Sequence, residues 1–176
     1  MSSTIITTKT HTTILRAIAK EIAISEIPTE HIQNVIRQMS EALRATKDGV
    51  GIAAPQIGKS LRIFIASEEA LFDDEDRPED RTKKDWKHFI YINPVITNSS
   101  KKVQKGPEGC LSVPGIYGEV KRSVKVRVRA YDEHGHVFER GASGLFARLM
   151  QHEVDHLNGT LFIDHATHIT ERAHEH

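Results

Sequence analysis

The chain has 176 residues, enough for one domain with a sizeable core and too few for two full ones. Lysine plus arginine equals aspartate plus glutamate at 24 each, so no global field favours nucleic acid or an anionic membrane. A single cysteine excludes an internal disulfide, no apolar run approaches the ~20 residues that span a bilayer, and the N-terminus lacks the apolar core of a secretory signal; together these point to a reducing, cytoplasmic setting.

Residues 1–16 are rich in Ser and Thr, contain no acid and carry Lys9, His11 and Arg16. With one arginine and little length they match a transit peptide poorly, and a lead that is flexible over 1–13 or forms a strand is expected instead. Leu15, Ile18, Ala19 and Ile22 have helical spacing over a short packing segment that ends before Pro28. Ile32, Val35, Ile36, Met39 and Leu43 then recur at helical intervals, with Thr29 placed to cap the first turn, which predicts an amphipathic helix of about four turns. Gly49, Gly51, Pro55 and Gly58 cannot continue it and predict a turn or loop leading into a strand, where Gly49 to Gly51 let an extended peptide pair with the backbone.

Residues 61–66 and 89–96 read as short strands, the second broken by Pro94, which predicts an edge or a bulge. Between them, residues 68–87 hold an acidic run up to Asp76 and then Lys83 and Lys84, by default the composition of a solvated surface insertion, with shaping of substrate access as the second reading. Val124, Val126, Val128 and Ala130 alternate with Lys125, Arg127 and Arg129 as a half-buried strand with a solvated basic face. A turn at residues 132–135 returns the chain through Val137 and Phe138. From Gly144, the residues Leu145, Phe146, Leu149, Met150, Val154 and Leu157 surround much of a helix, so that helix is buried; Asn158 and Gly159 end it, and the histidine-rich tail 165–176 is expected to fray.

The chemistry concentrates in Gln151-His-Glu-Val-Asp-His156. His152 and His156 rise from one helix face with Cβ atoms roughly 5–6 Å apart, close enough to share an ion, and Glu153 sits beside them where a general base for a bound water belongs. The pattern also occurs on ordinary helices, so a third ligand decides. The zinc endopeptidase spelling would place one at residue 162, which is Phe; the other soft ligand available is Cys110 in Pro-Glu-Gly-Cys-Leu-Ser. One thiolate and two imidazoles leave a tetrahedral position for water, the count of a catalytic site. Two alternatives stay open: an endopeptidase that does not need Cys110, and a structural metal closed by a fourth ligand such as His165. Asp155 is a candidate to orient the ligands from outside.

Glu108-Gly-Cys-Leu-Ser112, Gln151-His-Glu-x-Asp-His156 and Gly49-Val-Gly-Ile-Ala-Ala-Pro-Gln-Ile-Gly58 together resemble the three motifs of the peptide deformylases, in that family's order, and the looser likeness runs from about Leu15 to about Asp164. The resemblance implies an α+β fold with antiparallel sheets packed around the helix that carries the histidines. It implies removal of the N-formyl group from the N-terminal methionine of new polypeptides, with one divalent ion, Fe²⁺ in the cell and Zn²⁺ or Ni²⁺ in preparations, on Cys110, His152 and His156. Glu153 becomes the general base, while the Gln56 amide and the Leu111 N–H become oxyanion donors. Val50, Gly51, Gly109, Leu145 and Leu149 become substrate-binding residues, with Arg148 altering the rim. The implied partners are formyl-methionyl nascent chains met transiently at the ribosome, without the long basic C-terminal helix of larger bacterial relatives, by a monomer that binds neither membrane nor a specific nucleic acid.

Overall fold

The computed structural model describes residues 4–72, 76–78 and 80–171; most of the acidic run before Asp76, and His174 and His176 of the tail, lie outside the described residues. Among the described residues, three α-helices, α1 (Thr12–Leu15), α2 (Glu30–Arg44) and α3 (Gly144–Leu157), accompany eight strands: β1 (Gly51–Ala53), β2 (Ile63–Ser67), β3 (His88–Ser99), β4 (Val103–Cys110), β5 (Val113–Ser123), β6 (Lys125–Tyr131), β7 (Val137–Ser143) and β8 (Thr167–Glu171). The strands form a five-stranded sheet in the order β1-β2-β3-β6-β7 and a three-stranded sheet in the order β4-β5-β8, and every ladder is antiparallel. This is the expected α+β architecture. No helix among the described residues is long and apolar enough to cross a membrane.

Period-two alternation builds the core. In β2, Ile63 and Ile65 face a cluster that includes Ile32, Val35, Ile36, Met39 and Leu43 of α2. Phe64 and Ala66, pointing the other way, join Phe146, Ala147, Met150, Val154 and Leu157 of α3. The five-stranded sheet is therefore sandwiched between the two long helices. The apolar girth of α3 is explained by its second contact, with β5 of the smaller sheet.

Several expectations are corrected. The helical spacing from Leu15 to Ile22 yields only the single turn of α1: Ile18 is exposed, and Lys20 forms a bridge to Leu61, because the Asn93 side chain bonds both the N–H and the carbonyl of Ile22. At Pro94 the bulge of the two alternatives holds: Asn93 has φ +49° and sits where the β3–β6 register shifts, in a strand interior to its sheet. Thr29 occupies the N-cap of α2, but its hydroxyl donates to the Glu26 carbonyl instead of capping. From residue 4 on, the lead is tied down: the N–H groups of Ile6 and Thr8 bond the carbonyls of Gln56 and Ser112. Thr167–Glu171 pair with β5 instead of fraying, and the supposed solvated insertion buries Glu69, Ala70 and Trp86.

Candidate active site

α3 presents His152 and His156 with ring centroids 5.0 Å apart. Cys110 comes from the other sheet: it is the last residue of β4, where the turn Leu111–Ser112 reverses the chain into β5 and the register slips between Gly109 and Cys110. Its Sγ lies 3.2 Å from His156 Nε2, and the ligand atoms of Cys110, His152 and His156 all fall within 4.8 Å of one another. No other such group exists among the described residues, and exposed His165 is not part of this one, so that candidate for a fourth, structural ligand is not in place.

The orientation of His152 is set by Glu108, a residue that motif spacing missed. Glu108 Oε2 is 3.0 Å from His152 Nδ1, which commits that nitrogen and leaves Nε2 for a ligand. Arg122 grips both oxygens of Glu108, Nε at 2.9 Å and Nη2 at 3.0 Å, and Arg148 adds 2.8 Å to Oε1. Burial alone would raise the Glu108 carboxyl, yet His152 and Arg122 outweigh it and hold the group at about 2. Asp155 does not reach a histidine; it bonds Arg122 at 2.5 Å and so acts one link further out. The available signal for Glu108 was its place in the Glu-Gly-Cys run, two residues before the candidate ligand Cys110.

Glu153 is buried. Its Oε2 has no hydrogen-bond partner among the described residues, and burial pushes its carboxyl up to about 7. The Cys110 thiol would also be raised by burial, but the His156 and His152 rings bring it down to about 5, favouring the thiolate that binds metals. Gln56 lies in the 3₁₀ turn Ala54–Ile57 after β1. Its Oε1 accepts from the Ala53 N–H at 2.8 Å, which directs Nε2 to Ser112 Oγ at 3.3 Å and Cys110 Sγ at 3.6 Å. A cavity of about 470 Å³ joins these groups: Gln56, Cys110, His152 and Glu153 line it together with Val50, Gly51, Gly109, Leu111, Leu145 and Leu149. Arg148 reaches this lining too, but its guanidinium is spent on Glu108 and on the carbonyls of Gln104 and Val120.

A soft thiolate, two imidazoles and a buried carboxylate oxygen without a partner suit one divalent ion with a site kept for water. Comparison with known proteins supplies the family. The family profile of polypeptide deformylases matches residues 4–172. The chain belongs to the peptide deformylase family. It is 39% identical over 153 residues to a peptide deformylase of Rhodopseudomonas palustris, covering 85% of this chain and 80% of that one. It is 39% identical over 154 residues to the chloroplastic/mitochondrial peptide deformylase 1A of Arabidopsis thaliana, covering 86% of this chain and 57% of that one. The Met-Ala-Ser-bound crystal structure of the class I type b deformylase from Acinetobacter baumannii superposes with a TM-score of 0.79 at 32% identity, covering 93% and 99% of the two chains. This deformylase is a metal-dependent hydrolase that removes the N-formyl group from nascent polypeptides.

Proposed function

We propose that this deformylase hydrolyses its substrate in one catalytic domain, with Cys110, His152 and His156 holding the ion, Glu153 moving the proton, and Gln56 and Leu111 stabilising the oxyanion. The observation that carries this reading is the convergence of a β4 thiol with two α3 imidazoles beside an unpaired, buried carboxylate. A divalent ion bound there supplies a Lewis acid that lowers the pKa of water toward neutrality. Glu153, raised to about 7, accepts a proton from the attacking water and later donates it to the methionine nitrogen as the C–N bond breaks, releasing formate and a free amine. Gln56 Nε2 and the Leu111 N–H donate to the oxygen that gains charge; the Ala53 N–H holds Gln56 Oε1 and so keeps Nε2 on the Cys110 side, where it exchanges its long contact to the sulfur for the oxyanion. The methionine side chain enters between Val50, Leu145, Leu149 and the His152 ring, and the small formyl group excludes bulkier acyl groups at the polar end. The Acinetobacter baumannii relative binds Met-Ala-Ser, a peptide beginning with the methionine that deformylation leaves, and we extend that class of ligand to this chain.

The cellular ion is taken to be Fe²⁺. A Cys-His-His site binds Zn²⁺ or Ni²⁺ more strongly by the divalent affinity order, so availability decides what occupies it. The enzyme is taken to act as a cytoplasmic monomer that meets nascent chains only transiently at the ribosome; balanced charge, and the pairing of Arg127 with Glu139 on the basic strand face, argue against a standing nucleic-acid contact. The test is formate release from formyl-Met-Ala-Ser by anaerobically prepared, iron-loaded protein. The parent should turn over and Glu153→Gln should lose about 10²- to 10⁴-fold in kcat while keeping its metal. A parent that releases no formate overturns the proposal, and Cys110→Ala that keeps metal and activity favours an endopeptidase-like site instead.

A further inference from the structure

The excursion between β2 and β3 takes no part in the chemistry above, yet it reaches the substrate side of the site. Glu69 is buried within it, and its carboxylate is held by two cations: Lys83 Nζ lies 2.5 Å from Oε2 and Arg77 Nη1 lies 3.1 Å from Oε1. The same ammonium donates to the Gly49 carbonyl at 2.9 Å. Lys83 is itself only 22% exposed, so this bond is shielded from water and stronger than a surface contact. A buried carboxylate thus fixes an ammonium, and the ammonium fixes a backbone carbonyl in the loop between α2 and β1.

That loop is a wall of the cavity, through Gly49, Val50 and Gly51. The Ser67 N–H holds the next carbonyl, that of Val50, at 2.7 Å. A Cβ on Gly49 would lie 2.5 Å from Thr46 Oγ1 and 3.1 Å from Leu111 Cδ1, so the backbone here is pressed between the end of α2 and the turn that follows Cys110. β1 starts at Gly51 and is the terminal strand of its sheet, which leaves its outer edge unpaired within that sheet. An extended peptide laid along the cavity would use this backbone, and an edge already held in place costs less to order on binding.

We propose that Lys83, with Glu69 as its buried counter-ion, is a positioning residue for substrate: it clamps the Gly49 carbonyl and preorders residues 49–51 to receive the peptide backbone that follows the formyl-methionine. Lys83 touches no reacting atom. The inference rests on the deformylase reading above, and it gives the insertion, whose composition by default suggests solvation, a specific part in shaping substrate access through Lys83.

The test compares parent, Lys83→Met and Lys83→Arg, all iron-loaded, on formyl-Met-Ala-Ser and on N-formylmethionine. Lys83→Met should raise KM for the tripeptide about five- to tenfold with kcat within about twofold, the pattern of lost uniform binding. KM for N-formylmethionine, which has no downstream backbone, should move less. Lys83→Arg should restore most of the tripeptide KM. Amide exchange at residues 49–51 should quicken in Lys83→Met even without turnover. The double variant Lys83→Met, Glu69→Leu removes the counter-ion with the cation, and should show the same KM rise should the single variant fail to fold. Unchanged KM and exchange in a folded variant overturns the clamp, as does a fall in kcat at constant KM. Absence of formate from the parent would instead strike the functional reading, and the exchange measurement still decides the clamp.

Discussion

Gly51 is where the backbone makes room for Glu153, the proposed base. A Cβ there would stand 2.5 Å from Leu149 Cδ1 and 2.7 Å from Glu153 Oε1. Gly51→Ala should therefore displace the carboxylate and lower kcat about 10- to 100-fold, with metal content unchanged by elemental analysis and a smaller loss in denaturant stability. His88 makes a different kind of prediction. Its Nδ1 is buried without a partner among the described residues, and burial, with Arg44 and Lys83 nearby, lowers the ring from 6.5 to about 4. The unfolded chain then takes up this proton at higher pH than the folded one, so the contribution of neutral His88 is complete above pH 6.5 and is lost as the pH falls toward 4. Urea titrations of the parent and His88→Gln should diverge across that window by about 1 kcal/mol, the parent losing more, a figure reduced from the full shift because the ring is only partly buried. At this scale His152, His156 and Glu153 were legible, because four-residue spacing on a helix is a local fact. Glu108 was not: its role depends on β4 running past α3, and on Arg122 arriving from β5 to hold it.

Among the elements, α3 depends on how it stops. Gly159 follows its last turn at φ +73°, with a would-be Cβ 2.3 Å from the Arg16 carbonyl oxygen, so the segment that follows α1 packs directly on this helix end. Gly159→Ala combines an unfavourable left-handed conformation with a backbone clash and should cost about 2–4 kcal/mol in chemical denaturation. Elements with a strong apolar period were readable: α2 and α3 through 3.6-residue repeats, β6 through strict alternation. β4 and β8 were missed for a physical reason. Nearly all of β4 and all of β8 is exposed or half-buried, so neither carries an apolar face, and both exist because their backbones find β5. Residues 4–11, before α1, are held in the same way, by backbone bonds to the Gln56 and Ser112 loops.

For the whole molecule, α3 is packed on the five-stranded sheet while Cys110 arrives from the three-stranded one, so an ion on the proposed ligands would tie the two sheets together. Stripping it with a chelator should lower Tm in scanning calorimetry by about 8–15 °C, taking an ion near 1,000 times its Kd as worth about 4 kcal/mol, and Cys110→Ala should show almost none of that difference. By itself the sequence determined the two long helices, the alternating strands, the metal-binding residue types and the likeness to deformylases, since each is written in neighbouring residues or in short motifs. Only the tertiary structure decided that a thiol meets imidazoles 42 and 46 positions away, that Glu108 and not Asp155 turns the His152 ring, and that an acid-rich insertion folds back onto the cavity wall. Those arrangements arise from sheet pairing and helix packing between distant segments, whose energies no local window of residues contains.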